Sequence, residues 1–409
     1  MQSHLQVHWW DGTLIGHLVH RGTIYFTYDE AWIAKEHDLS PLSLPLTTAA
    51  FNGAKLLDGL PGMISDCLPD VWGRKVARRF FAENKWSDPS VLSLLQWRSD
   101  RGLGALQFTP PIESKKGKID DQLKKISAAL LARNAEKIER GEPSKVLPQL
   151  VEGGTAGGAY PKTLILSYAD GTLRVGPPDG EGVPSILKFD FSKKGEHAAC
   201  EHAYAMMAQA AGINVVATSL INEEGIQQRR HLLIKRFDIP NQKNFQQRLH
   251  FHSLSGLLHK SPTDLDYQDF FRAALRLKLP QLEIEEIARR LIFNLLASNH
   301  DDHGKNHAFL YHEKNRTWHL TPAYDLNYTP GLLERGMSIC GEVWPAMKTV
   351  EALCVDAGVT QRVFRSLLQK VERSIARWPY FAKKTDVSKS MIEEIRKRHE
   401  FIRAHVMQK

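Results

Sequence analysis

The chain has 409 residues, 42% hydrophobic and 24% charged, the balance of a globular protein with a substantial core, and disorder is not the default. Its net charge of +8 suits a polyanionic partner such as a nucleotide, nucleic acid or acidic protein, and specifies none of them. Four scattered cysteines without a C-x-x-C pair argue against a zinc knuckle and a secreted disulfide scaffold.

The opening MQSHLQVHWWDG is polar and aromatic and unlike a signal peptide. No apolar run approaches the ~20 residues of a membrane-spanning helix, so a cytoplasmic location without membrane contact is expected. Residues 1–110 read as a small α+β domain: LQVHWW, a DG turn and TLIGHLVH form a hairpin, TIYFTY a third strand, and LPDVWGRKVARRFFAENKW a helix. Residues 111–145 read as a helical linker, with Ile119, Leu123, Ile126, Leu130 and Leu131 at helical spacing in one amphipathic helix. Residues 146–245 hold a Gly-rich stretch, strand-like TLRVG and SILKFDF, a helix from Glu201 to Gly212, and the strands NVVATSLI and RHLLIKRFD. Residues 246–409 are mainly helical, with an apolar stripe of Ile284, Ile287, Ala288, Leu291, Ile292, Leu295 and Leu296 that stops just before a His/Asp cluster. A sheet-rich half followed by a helical half predicts a two-lobed plan with polar clusters where the halves meet.

The cluster SNHDDHGKN places Asn306 five positions after Asp301, the D-x-x-x-x-N spacing of kinase catalytic loops. Phosphoryl transfer needs a carboxylate near the attacking hydroxyl, oxygen ligands for Mg²⁺ and positive charge on the phosphates. Asp301 supplies the base, Asn306 a metal ligand and Lys305 a charge against the transferred phosphate. About 20 residues on, TPAYDLN offers Asp325 as the second Mg²⁺ carboxylate. A transition-metal site competes, because His300, Asp301, Asp302 and His303, with His307 and His319 nearby, also suit a metal-dependent phosphohydrolase. A small-molecule kinase and a non-enzymatic regulatory subunit stay open as well.

The stretch GGTAGGAYPK, with Thr155, Gly157, Gly158 and Lys162, lacks the P-loop and G-x-G-x-x-G patterns. It reads either as a phosphate cradle or as a connector. Lys188 lies mid-strand between Leu187 and Phe189, which is costly unless the ammonium meets opposite charge or snorkels to solvent. It is the candidate α/β-phosphate lysine, with Glu201 as ion-pair partner. The backbone around Lys235–Phe237 stands where a hinge would meet adenine.

Together these motifs resemble the HipA family of bacterial kinase toxins over nearly the whole chain. GGAYPKT is similar to that family's G-A-Q-E-K-T loop, KRFD to E-R-F-D, DDHGKN to D-x-H-x-K-N, and TPAYDLN to T-P-x-Y-D. The resemblance implies an α+β, two-lobed protein-kinase-like fold with a small N-terminal α+β subdomain and an all-helical C-terminal lobe. It implies a serine/threonine kinase using ATP and Mg²⁺, with Asp301 as base, Asn306 and Asp325 as metal ligands and Lys188 as the ATP lysine. It further implies a cytosolic translation protein, such as an aminoacyl-tRNA synthetase, as substrate. A HipB-type antitoxin would be the partner, with DNA reached only through it. The family's autophosphorylated loop serine corresponds to Thr155 here, and its Gln-Glu pair to Tyr160-Pro161, so those side-chain contacts do not carry over.

Overall fold

The computed structural model describes residues 3–53, 57–112, 124–142, 145–146, 148–152, 158–176, 179–223, 229–240, 247–330 and 335–408. The chain divides into two compact units, Met1–Gly195 with Ser219–His252, and Glu196–Thr218 with Ser253–Lys409.

The first unit begins with a meander of β1 (His4–His8), β2 (Leu14–Arg21) and β3 (Thr23–Tyr28), paired antiparallel. Alternation explains it: Leu5, Val7, Leu18, Phe26 and Tyr28 are buried, whereas His4, Gln6 and His17 are not. The short helix α1 (Glu30–Ile33) is capped by the Asp29 side chain. Then come β4 (Phe51–Asn52), α2 (Gly62–Ser65), α3 (Val71–Glu83), α4 (Val91–Arg98) and β5 (Gln107–Thr109). The finished sheet has the order β4-β3-β2-β1-β5.

A second, six-stranded sheet contains β6 (Lys124–Ile126), β7 (Lys162–Ser167), β8 (Leu173–Val175), β9 (Val183–Lys188), β10 (Thr218–Asn222) and β11 (Arg230–Lys235), in the order β10-β11-β9-β7-β8-β6. The single linker helix expected over 111–145 is corrected here. Ile126 belongs to β6, and the helix α5 runs only from Ala128 to Glu139, turning Ala128, Leu131, Ala132, Ala135 and Ile138 inward and leaving Leu130 exposed. Ile119 and Leu123 lie outside the described residues. Two non-local contacts tie this sheet to the meander's part of the unit. The Trp72 indole of α3 donates to the Lys162 carbonyl at 2.8 Å, and the Asp238 carboxylate accepts from the Gly104 amide at 2.8 Å. After α6 (Pro148–Glu152), the strand β12 (His250–Ser253) brings His252 between Ser40 (2.9 Å) and Asp66 (2.7 Å). These three have the order of a hydrolase triad, but Ser40 is fully buried, so the chain of hydrogen bonds is a brace rather than a nucleophile.

The second unit holds α7 (Glu196–Ala210), α8 (Leu254–Leu258), α9 (Tyr267–Arg276), α10 (Gln281–Leu296), α11 (Met347–Asp356), α12 (Gln361–Ile375), α13 (Trp378–Lys384) and α14 (Lys389–Gln408). Among the described residues its helices are joined by a β-hairpin, β13 (Ala308–His312) with β14 (Thr317–Leu320), so the C-terminal lobe is not wholly helical. The LYHEKNRTWHL stretch forms that hairpin because its apolar residues alternate and EKNR turns between them. α10 is the central helix, packed by α9, α12 and α14. Its whole apolar stripe is buried, as are its polar residues Glu286, Arg290 and Asn294. α7 packs with α12 and α13, which is why residues 196–218 group with this unit and not with the sheet that flanks them in sequence.

Candidate active site

The loop after α10 is held from several directions. At the helix end, the Ala297 carbonyl accepts from the Tyr204 hydroxyl at 2.7 Å, and Ser298 turns with φ +55°. The Asn299 amide side chain donates to Asn294 at 3.0 Å, Asn294 donates to the Tyr267 hydroxyl at 3.1 Å, and Tyr267 donates to Asp302 at 2.9 Å. The Arg335 guanidinium completes this buried row by pairing with the same Asp302 oxygen. Burial pushes the Asp302 carboxyl above its ordinary range, with Arg335 and Tyr267 pulling the other way. Burial also keeps the Tyr267 hydroxyl protonated, and therefore a donor.

Asp301, unlike this buried row, stands in solvent. Its side chain is 60% exposed against 1% for Asp302. The Lys305 amide donates to His303 Nδ1 at 3.3 Å, which leaves the ring proton on Nε2, 3.8 Å from the Asp301 carboxylate. Asn306 Nδ2 donates to the Asp301 carbonyl at 2.6 Å. The amide oxygen of Asn306 is thereby turned away as an available ligand. The Tyr324 hydroxyl donates to the Lys305 carbonyl at 2.7 Å, so the residue next to Asp325 is fastened to the loop; Asp325 itself turns with φ +55°. Thr321 is fixed too. Its hydroxyl and amide both reach the Ala308 carbonyl, and its carbonyl accepts from Arg290 of α10 at 2.7 Å. Asp301, Lys305, Asn306 and Asp325 thus sit on two segments joined by the Tyr324–Lys305 hydrogen bond. Asn306 and Asp325 each carry side-chain oxygen of the hard type that Mg²⁺ takes.

The competing transition-metal set does not converge. His300 is buried with its ring edge-on to Trp344 at 4.8 Å, His307 is buried against Phe270, His319 bonds Glu283 at 2.7 Å, and Asp302 is committed to Arg335. Among the described residues, no three His, Cys, Asp or Glu side chains gather as a metal site.

In the first unit, Lys162 and Lys188 are direct cross-strand partners of β7 and β9, only 8% and 9% exposed. The Lys188 ammonium lies 5.2 Å from the centroid of the Tyr160 ring, which is itself 57% exposed. The Gly158 amide donates to Asp70, the residue just before α3, and Gly158 takes φ +88° beside the Lys162 ammonium. Two lysines with largely buried side chains thus stand side by side on adjacent strands, next to the Gly158 turn. Lys235 is exposed at the end of β11, and Phe237 packs on Phe251 at 6.1 Å. Glu201 is buried on α7, in the second unit. Thr155 and Gly157 lie outside the described residues.

Sequence reading did not anticipate Tyr267, Asn294, Tyr324 or Arg335. Tyr324 stands inside a motif and was within reach. The other three are isolated residues whose meaning depends on non-local contacts.

The comparisons with known proteins bear on the family and the fold of the chain. The family model for the HipA N-terminal domain matches residues 5–109, and that for the HipA-like C-terminal domain matches 154–378. Two Sinorhizobium fredii proteins are similar to the chain. One, named "Putative kinase Y4mE", is 27% identical over 78% of this chain and 76% of its own. The similarly named Y4dM is 24% identical over 76% and 74%. Among solved structures, the Shewanella oneidensis complex of HipA, HipB and operator DNA contains a chain that superposes with a TM-score of 0.66, at 19% identity, covering 97% of this chain and 95% of that one. With more than half of its length matched by the C-terminal model and its first hundred residues by the N-terminal one, the chain belongs to the HipA family.

Proposed function

We propose that this chain is a Mg·ATP-dependent serine/threonine protein kinase and the toxin of a HipA/HipB-type toxin–antitoxin module. Its substrate would be a cytosolic translation protein such as an aminoacyl-tRNA synthetase, with itself as a second acceptor. The observation that carries the reading is the exposed Asp301 carboxylate on a loop otherwise locked from beneath, with the segment bearing Asp325 fastened to it through Tyr324. Kinase names among the relatives and the HipB partner of the Shewanella protein support the same reading.

In this reading Asp301 accepts the proton of the attacking hydroxyl, and His303 Nε2–H steadies its carboxylate. Asn306 and Asp325 would hold Mg²⁺, which neutralises phosphate charge when bound. Lys188 and Lys162 would meet the nucleotide phosphates. Tyr160 stands over Lys188, so its ring would border that site.

The test is transfer of label from [γ-³²P]ATP and Mg²⁺ into protein of a cytosolic extract, by the parent chain and by Asp325→Asn. Labelled protein with the parent and none with the variant is expected. Labelled metabolite instead of protein, or equal labelling by both, would overturn the assignment.

A further inference from the structure

Resting on the kinase reading, we infer that Arg335 is a positioning residue for phosphoryl transfer, fixing Asp301 through Asp302. Asp301 is itself mostly in solvent, so the backbone to either side bears directly on where its carboxylate stands. Both sides are held by one dipeptide. On the N-terminal side, the Gly336 amide donates to the His300 carbonyl at 2.7 Å. On the C-terminal side, the Arg335 guanidinium pairs with Asp302, whose other donor is the Tyr267 hydroxyl. Gly336 lies so close to His303 that a Cβ there would collide with the His303 backbone. Arg335 and Gly336 therefore clamp residues 300, 302 and 303 around the exposed carboxylate.

The choice of arginine fits this role. Asp302 and Arg335 are both buried, and a buried carboxylate keeps one orientation only while its charge partner stays in place. Tyr267 approaches the same oxygen, and a phenol cannot replace a cation there. Without the guanidinium, Asp302 would turn towards water or take up a proton, and the Asp301 backbone would follow. A displacement of about 1 Å at a reacting group costs on the order of 100-fold in rate while leaving remote substrate contacts intact. The nucleotide contacts assigned above fall on other residues, so the effect belongs in kcat.

The experiment measures label transfer from [γ-³²P]ATP into extract protein, with nucleotide affinity from titration of fluorescent TNP-ATP. Arg335→Ala should lower transfer about 100-fold and leave TNP-ATP affinity within about twofold. Added ethylguanidinium should restore at least about a tenth of parent activity by refilling the vacated site. Gly336→Ala, which keeps the ion pair but pushes on His303, should show the same split and serves where Arg335→Ala fails to fold. Transfer by Arg335→Ala within threefold of the parent would overturn the role, as would a folded variant that ethylguanidinium leaves inactive. Should Arg335→Ala not fold, full activity of Gly336→Ala overturns it instead. A parent chain that labels nothing removes the kinase reading and this role with it, whereas equal labelling by parent and variant removes only this role.

Discussion

Asp301 and Asp302 are neighbours of the same chemical type in opposite surroundings, and that contrast gives a paired prediction. The Asp301 side chain is 60% exposed, so Asp301→Asn should keep unfolding free energy within about 0.5 kcal/mol of the parent. Label transfer should nevertheless fall by roughly 10²–10⁴, the usual contribution of a general base. Asp302→Ala leaves Arg335 buried without its carboxylate and should lose about 3–5 kcal/mol in a urea titration. A variant pair with equal stabilities would show that the two environments have been misread. The D-x-x-x-x-N spacing, together with the family resemblance, picks Asp301 over Asp302 as the proposed base, and spacing is a local feature of the sequence. Burial is not local: what commits Asp302 is Arg335, 33 positions on, with no motif around it. His303 was legible only as one possible metal ligand, and its tautomer, set by the Lys305 amide, required coordinates.

At the scale of elements, α10 does more than precede the loop. Its Glu286 accepts from the Asn214 amide at 3.0 Å and pairs with Arg290, and Arg290 holds the Thr321 carbonyl. Glu283, one turn earlier, receives the Leu320 amide and His319. One helix face thus fixes both the hairpin end and the TPAYDLN segment. Glu286→Ala would strand the buried Arg290 and free the Asn214 amide, and should cost about 3 kcal/mol or more by chemical denaturation. A loss below about 1 kcal/mol would mean that Arg290 is satisfied without it. The apolar stripe of α10 was plain in the sequence, since helical period alone reveals it. Its polar anchors were not, because Glu286 and Arg290 look like an ordinary exposed i,i+4 pair. The pairing of Lys162 with Lys188 was hidden for a different reason. Each lysine drew attention separately, but the antiparallel register that sets them side by side spans 26 residues. The expected linker helix shows the same limit: Ile126 keeps helical spacing with Leu130, and pairing of Lys124–Ile126 with β8 overrides it.

At the scale of the whole chain, the order of sheet-rich and helical segments followed from hydrophobic period, whereas the grouping of α7 with the second unit depended on tertiary packing. Burial has a further whole-chain consequence. His231 and His250 in the first unit, and His307 and His399 in the second, are buried. Desolvation lowers their pKa values from an ordinary 6.5 to about 4, 3, 3 and 4 respectively. Each folded-state value lies below the unfolded one, so between pH 6.5 and about 4 the unfolded chain binds protons that the folded chain excludes. Stability must therefore fall as the pH is lowered through that window, and the contribution is intact above 6.5. At pH 5 all four remain neutral when folded, whether the value is 3 or 4. The loss between pH 7 and 5 is then roughly 2 kcal/mol per histidine, set mainly by the unfolded chain. With net stabilities of about 5–15 kcal/mol in ordinary domains, such a loss is large. Thermal unfolding at pH 7, 6 and 5 should show Tm dropping at each step in both units. His307→Gln, which removes one titrating group, should make the pH 7-to-5 loss smaller by roughly 2 kcal/mol in the unit that contains it, even if the variant is less stable at every pH. A Tm that stays level from pH 7 to 5, or a slope untouched by His307→Gln, would mean that these histidines take up protons without unfolding.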